Sequence, residues 1–195
     1  NQDIAIDCDA FFYQIKKEQK LFVKTKYYEE ARKILENEHM LMLLGDPGVG
    51  KTMLTKMLAL AFVSEGYRIR YTTNGELSDL KRTLSADRER KELIVLDDCL
   101  GQHYFKMQET KENELLALVK YIMHNPNKLL IMNSRVTIFH EARERSCDFR
   151  YFMDDENIKI RKLEMNGLDE EEKGWIFYNH LYFSGIPEEY YQNIS

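Results

Sequence analysis

Apolar and polar positions along the chain follow two alternating rhythms. Residues 40–44 and 93–96 are unbroken apolar runs, 128–132 is another headed by a lysine, and residues 67–73 and 158–165 alternate with a period of two. Runs of this length predict five β-strands, the unbroken ones buried on both faces and the last, apolar on one face only, at an edge. Between them apolar residues recur at helical spacing: Tyr28, Ala31, Ile34 and Leu35; Met53, Leu54, Met57, Leu58, Ala61 and Phe62; Leu115, Leu116, Leu118, Val119 and Ile122. Helices are therefore predicted over 27–35 with Thr25 as N-cap, from Met53 up to Gly66, over 75–84, over 112–123 up to the Asn125-Pro126-Asn127 stop, over 136–147, and over 168–183 with acids in the first turn. Residues 87–92 read as a charged turn and 99–110, with Gly101, His103 and Phe105, as a loop. Strands alternating with helices in this way predict an α/β chain built on a parallel sheet.

The two ends are less regular. Residues 1–19 are mixed, with Phe11, Phe12 and Ile15 expected to pack a short helix against the outside of the domain. Past the break at Gly185-Ile186-Pro187, Glu188-Glu189-Tyr190-Tyr191 reads as the start of a helical domain. The expected organisation is a helical lead-in over 1–20, a core over 21–166 and the beginning of that helical domain over 167–195. Because the chain starts at Asn1 without a methionine and stops at Ser195 just after a helical pattern, it reads as a piece of something longer.

The chemistry is concentrated where strands end. Gly45-Asp46-Pro47-Gly48-Val49-Gly50-Lys51-Thr52 fits G-x-x-x-x-G-K-[ST] and lies between the first apolar run and the stripe beginning at Met53. Glycines let backbone N–H groups close around a phosphate chain, and a helix N-terminus adds about half a positive charge. The pattern predicts a nucleoside triphosphate site formed by Gly45 to Met53, with Lys51 reaching the β- and γ-phosphates and the Thr52 hydroxyl in a Mg²⁺ shell. The run 93–96 ends in Asp97 and Asp98. An apolar strand that delivers an acid to the sheet edge suits metal holding, so Asp97 is expected to hold Mg²⁺ through water and Asp98 to polarise the attacking water. The run 128–132 ends in Asn133-Ser134-Arg135. Asn133 is placed to sense a γ-phosphate or orient water, and Arg135 to neutralise phosphate charge in its own site or a neighbouring subunit's. The alternative for Arg135 is a sheet-edge cation paired with a surface acid. Phe22, Val23 or Tyr28, ahead of the first strand, could contact the adenine base, as that stretch commonly does in the P-loop ATPases this motif resembles; ordinary core packing is the alternative.

Composition narrows the field. With 195 residues, 44% of them hydrophobic and 31% charged, the chain is long enough for one α/β domain with a small appendage. A net charge of −5 gives no general attraction for nucleic acid. No run approaches the roughly 18 apolar residues a membrane helix needs, and no signal peptide is visible, so a cytoplasmic setting with Cys8, Cys99 and Cys147 reduced is expected. His140-Glu141 in HEARE lacks the second histidine of H-E-x-x-H. No N-K-x-D guanine motif is present, which favours ATP and ADP over guanine nucleotides.

These motifs, in this order, resemble the additional-strand P-loop ATPases, and more narrowly the STAND NTPases, signal-transduction ATPases with numerous domains. The group most similar is novel STAND NTPase 3, found in bacterial antiviral defence and other large bacterial proteins. The residues carrying the resemblance are Phe22-Val23-Lys24-Thr25 with Tyr28 and Ala31, Gly45 to Thr52, Leu93 to Gly101, Asn133-Ser134-Arg135, and Trp175 to Phe183 with Ser184-Gly185-Ile186-Pro187. Asn133 stands where many STAND members have threonine. The resemblance implies a P-loop three-layer sandwich with a five-stranded parallel sheet of order 5-1-4-3-2. It also implies a switch: ATP binding, slow hydrolysis that resets the state, nucleotide-dependent homo-oligomerisation, and coupling to sensor and effector domains of the same longer chain. The alternatives are an AAA-type motor or DNA-transaction ATPase with sustained turnover, a module in which nucleotide is purely structural, and a kinase with Arg143, Arg145 and Arg150 as a thin lid.

Overall fold

The computed structural model describes residues 2–73, 77–85, 87–101 and 109–185. Five strands, β1 (Met40–Gly45), β2 (Arg68–Thr73), β3 (Glu92–Asp97), β4 (Lys128–Ser134) and β5 (Ile160–Met165), form one sheet of order β2-β3-β4-β1-β5 with every pairing parallel. Read from β5, this is the expected 5-1-4-3-2.

Two cores follow from the pleat, which sends alternate residues to opposite faces. On one face Leu41, Leu43, Val95 and Ile131 pack against α1 (Gln2–Glu18), α2 (Lys26–Glu38) and α3 (Lys51–Ser64). On the other, Met40, Met42, Ile94 and Met132 pack against α4 (Leu77–Thr83), α5 (Glu109–Met123), α6 (Val136–Arg145) and α7 (Cys147–Asp154). The result is a three-layer sandwich, and α8 (Glu170–Phe183) follows β5 behind an Asp169–Glu172 capping box.

Three differences from the sequence expectation have physical causes. The lead-in helix is 17 residues long, and its Phe11 and Ile15 are buried in the same core as α3, against the flank of β2. The helix expected over 136–147 ends at Arg145, and Ser146 starts α7 by accepting a hydrogen bond from the Phe149 amide at 3.0 Å. Glu92, expected in a charged turn, opens β3 and is fully buried. Burial is possible because Lys128, equally buried, donates to Glu92 Oε2 at 2.8 Å and to the carbonyls of Asp87 and Arg90, while Arg70 donates to Glu92 Oε1 and the Ser85 amide to Oε2. The expectations for Gly75, His103, Phe105 and 188–191 lie outside the described residues.

Candidate functional site

All five strands run parallel, so their carboxyl ends share one edge of the sheet, where the chain leaves β1, β3 and β4 through polar turns. At the end of β1 the backbone closes tightly. A Cβ on Gly45 would stand 2.7 Å from Val49 Cγ2 and 3.1 Å from the Met165 carbonyl of β5, so only glycine fits. Gly50, at φ 98°, is the N-cap of α3 and supplies no side chain to it, so the first N–H groups of α3 lack a side-chain cap.

Lys51, the first residue of α3, folds back over this loop and donates to the carbonyls of Gly45 at 2.7 Å and Asp46 at 2.9 Å. Partial burial lowers its ammonium below the ordinary lysine range; Asp97 and Asp46 oppose that effect, and Arg135 adds to it. Among the described residues, Lys51 is thus a partly desolvated cation held by carbonyl oxygens alone.

Across from it, β3 ends at Asp97, whose two oxygens are each held by one neutral donor. Asn133 Nδ2 donates to Oδ1 at 2.9 Å and the Tyr71 hydroxyl to Oδ2 at 3.2 Å. Asn133 is almost fully buried and also bonds the hydroxyl of Thr55 on α3, which in turn donates to the Lys51 carbonyl. The chain then turns sharply. Asp98 sits in the left-handed region at φ 51°, the Gly101 amide bonds its carbonyl at 2.8 Å, and the Cys99 amide bonds the Asn133 carbonyl at 3.0 Å. Aspartate tolerates this conformation better than most residues, though at a cost. The turn leaves Cys99 buried, where desolvation, with Asp98 and Asp97 nearby, pushes its thiol far up and disfavours the reactive thiolate.

These pieces enclose an open cavity of about 390 Å³, walled by Pro47, Gly48, Gly50, Lys51, Thr52 and Met53 on one side and by Asp97, Asp98, Asn133, Ser134 and Arg135 on the other. Arg135 is half-buried at the N-cap of α6, and no acidic side chain among the described residues pairs with its guanidinium. The structure therefore gathers Lys51, Thr52, Met53, Asp97, Asp98, Asn133 and Arg135 from three separate segments. Asn133 reaches the wall with its amide already turned to Asp97 and Thr55. Gly45, Asp46 and Val49 shape the loop behind the wall. Phe22 and Val23 are half-buried and are not part of the wall, and Phe22 packs against the α1–α3 core.

Sequence reasoning passed over Tyr71 and Thr55. Thr55 has a visible signal, a polar residue inside the apolar part of α3, whereas the partnership of Tyr71 with Asp97 depends on pairing between β2 and β3. Arg143 and Arg145 are engaged with Asp154 and Glu141.

Comparison with known proteins agrees with this fold. The family model described as Novel STAND NTPase 3 matches residues 22–183. No curated protein sequence matches the chain. Among solved structures, Hsp104 in its closed state with ATPγS and casein is similar over 87% of this chain and 31% of that one, with a TM-score of 0.61 at 13% identity. AMPPCP-bound DnaA from Aquifex aeolicus is similar over 80% of this chain and 49% of its own, with a TM-score of 0.54 at 17% identity. Cdc6p from Pyrobaculum aerophilum gives a TM-score of 0.56 at 13% identity over 85% of this chain and 53% of its own. At these identities the likeness is one of fold, that of the P-loop ATPases, and the chain spans about half or less of each of these structures.

Proposed function

The chain belongs to the novel STAND NTPase 3 family, and on that premise we propose that it is the ATP-binding, slowly hydrolysing switch of a larger signalling protein in bacterial defence, coupling nucleotide state to oligomerisation and effector activation. The observation that carries this reading is the meeting of a partly desolvated lysine, an α3 N-terminus without a side-chain cap and two strand-end carboxylates around one cavity.

Each group has a task in this scheme. The α3 N-terminus and loop amides receive the phosphates, and Lys51 exchanges two carbonyl partners for phosphate oxygens, a stronger charge-assisted pairing. A Mg²⁺ ion would neutralise phosphate charge there; Thr52 and Asp97 fit it as a hydroxyl and a carboxylate with spare lone pairs, since this ion keeps several waters and needs few protein ligands. Asp98 orients and deprotonates the attacking water. Asn133 acts chiefly by holding Asp97, and Arg135 meets the terminal phosphate or a neighbouring subunit's.

The test is ATP turnover of the purified chain, with bound nucleotide identified after mild denaturation, beside an Asp98→Ala variant. Slow turnover, retained ATP or ADP, and a variant that binds normally but turns over at least about a hundredfold more slowly are expected. Unchanged hydrolysis in Asp98→Ala removes the role given to Asp98. Steady turnover without a partner favours the second reading, an AAA-type motor, to which the fold likeness with Hsp104 gives some support.

A further inference from the structure

We infer that Tyr71 is a positioning residue for Asp97, and that α1 sets its grip; this rests on the reading of Asp97 as the Mg²⁺-holding acid. Contacts from α1 and from β3 both hold Tyr71. Its ring stacks on Phe11 with centroids 4.2 Å apart and planes 14° from parallel. Its amide donates to Cys8 Sγ at 3.3 Å, and its hydroxyl donates to Asp97 Oδ2 at 3.2 Å.

The consequence for Asp97 is geometric. A carboxylate turns freely about its last bond unless both oxygens are held, and a ligand that must meet a metal shell loses affinity when it rotates. With Asn133 on Oδ1 and Tyr71 on Oδ2, the plane of Asp97 is fixed by two neutral donors, and each oxygen keeps a lone pair free. Asn133 lies at the end of a central strand in the family core. Tyr71 lies on edge strand β2, where its position depends on what covers that edge.

The cover is α1, which lies ahead of the segment matched by the family model, residues 22–183. The same helix also reaches the other half of the site: Glu18 at its end bonds Lys56 of α3, the helix that begins with Lys51, at 2.7 Å. Lys56 is buried on α3, so this pair ties α1 to the phosphate-side helix while Phe11 and Cys8 tie it to the metal-side acid. Docking of α1 therefore bears on both halves of one cavity, and its displacement would loosen Asp97 first.

The experiment measures binding of a fluorescent ATP analogue to the whole chain across a Mg²⁺ titration and in EDTA, together with thermal unfolding. Tyr71→Phe keeps the stacked ring and removes only the hydroxyl. It should raise the Mg²⁺ concentration for half-maximal enhancement about tenfold, with binding in EDTA and the unfolding midpoint unchanged. Cys8→Ala, which loosens the backbone grip and leaves the hydroxyl in place, should move the same midpoint in the same direction by a smaller factor. Asp97→Ala is the control and should abolish the Mg²⁺ enhancement. A wild-type Mg²⁺ profile in Tyr71→Phe beside a defective Asp97→Ala overturns the positioning role alone. A wild-type profile in Asp97→Ala overturns the reading of Asp97, and the inference with it.

Discussion

Strands β3 and β4 each begin and end in charged or polar residues, and their two ends are built in opposite ways. At the amino end, Glu92 and Lys128 are fully buried, and the charges answer each other with Arg70, the Ser85 amide and two carbonyls completing the set. Burial pushes the Glu92 carboxyl up, but Lys128, the Ser85 amide and Arg70 together more than offset this and hold it below the ordinary glutamate range. At the carboxyl end, Asp97, Asp98 and Arg135 face an open cavity; among the described residues Lys51 bonds carbonyls and Asp97 neutral donors, and Asp98 occupies a strained turn. A buried ionic set that closes on itself locks strand order and loop position. A set left electrically incomplete is what an anionic ligand and its metal can complete.

Substitutions should separate the two ends cleanly. The largest loss of stability is expected at the closed end. Lys128→Met leaves Glu92 and two carbonyls short of a partner and should cost about 3 kcal/mol, or about 10 °C in Tm, with nucleotide affinity per folded molecule unchanged; a loss of affinity instead would mean that the ends are coupled. In the wild type, this contribution is present above the unfolded glutamate value near 4.5 and is lost as pH falls through the lower folded value of Glu92. The next effect belongs to the open end. Lys51→Ala should weaken triphosphate binding about a hundredfold or more and leave the unfolding midpoint nearly unmoved; normal ATP binding in this variant would remove the phosphate-cradle assignment. Because only the ammonium form attracts phosphate, wild-type affinity should start to fall with rising pH below 10.5, where an ordinary lysine is still charged. The smallest effect tests the strained turn. Asp98→Gly should stabilise the fold by less than about 1 kcal/mol while turnover is lost, and a clear destabilisation would show that the turn carries no strain.

How much of this was legible in the sequence follows from the range of each interaction. The runs at 40–44, 93–96 and 129–132 are strands because an unbroken apolar stretch of that length has to be buried on both faces, a local property. The loop from Gly45 to Thr52 was equally plain, since its glycines and Lys51 act within one turn of chain. Glu92 was not, because Glu89-Arg90-Lys91-Glu92 looks like a solvated turn until Lys128 and Arg70 are brought beside it. The role of Tyr71 was hidden for the same reason, its partners lying on α1 and β3. The second helix after β4 was a missed local signal: Ser146 as a cap, then Phe149, Phe152 and Met153 on one stripe, all three buried. Phe22 and Val23 were put forward on family resemblance, and here Phe22 serves the core.

The thiol of Cys8 has one more consequence. It accepts from the Tyr71 amide and donates to the Ile69 carbonyl at 3.6 Å, occupying with one polarisable atom the ladder groups that edge strand β2 would otherwise present sideways. A molecule whose α1 has lifted away would expose a row of unpaired backbone groups beside an apolar flank, which is a template for pairing with another such molecule. Docked, the lead-in helix covers that template, and loosening it should show as concentration-dependent self-association in light scattering.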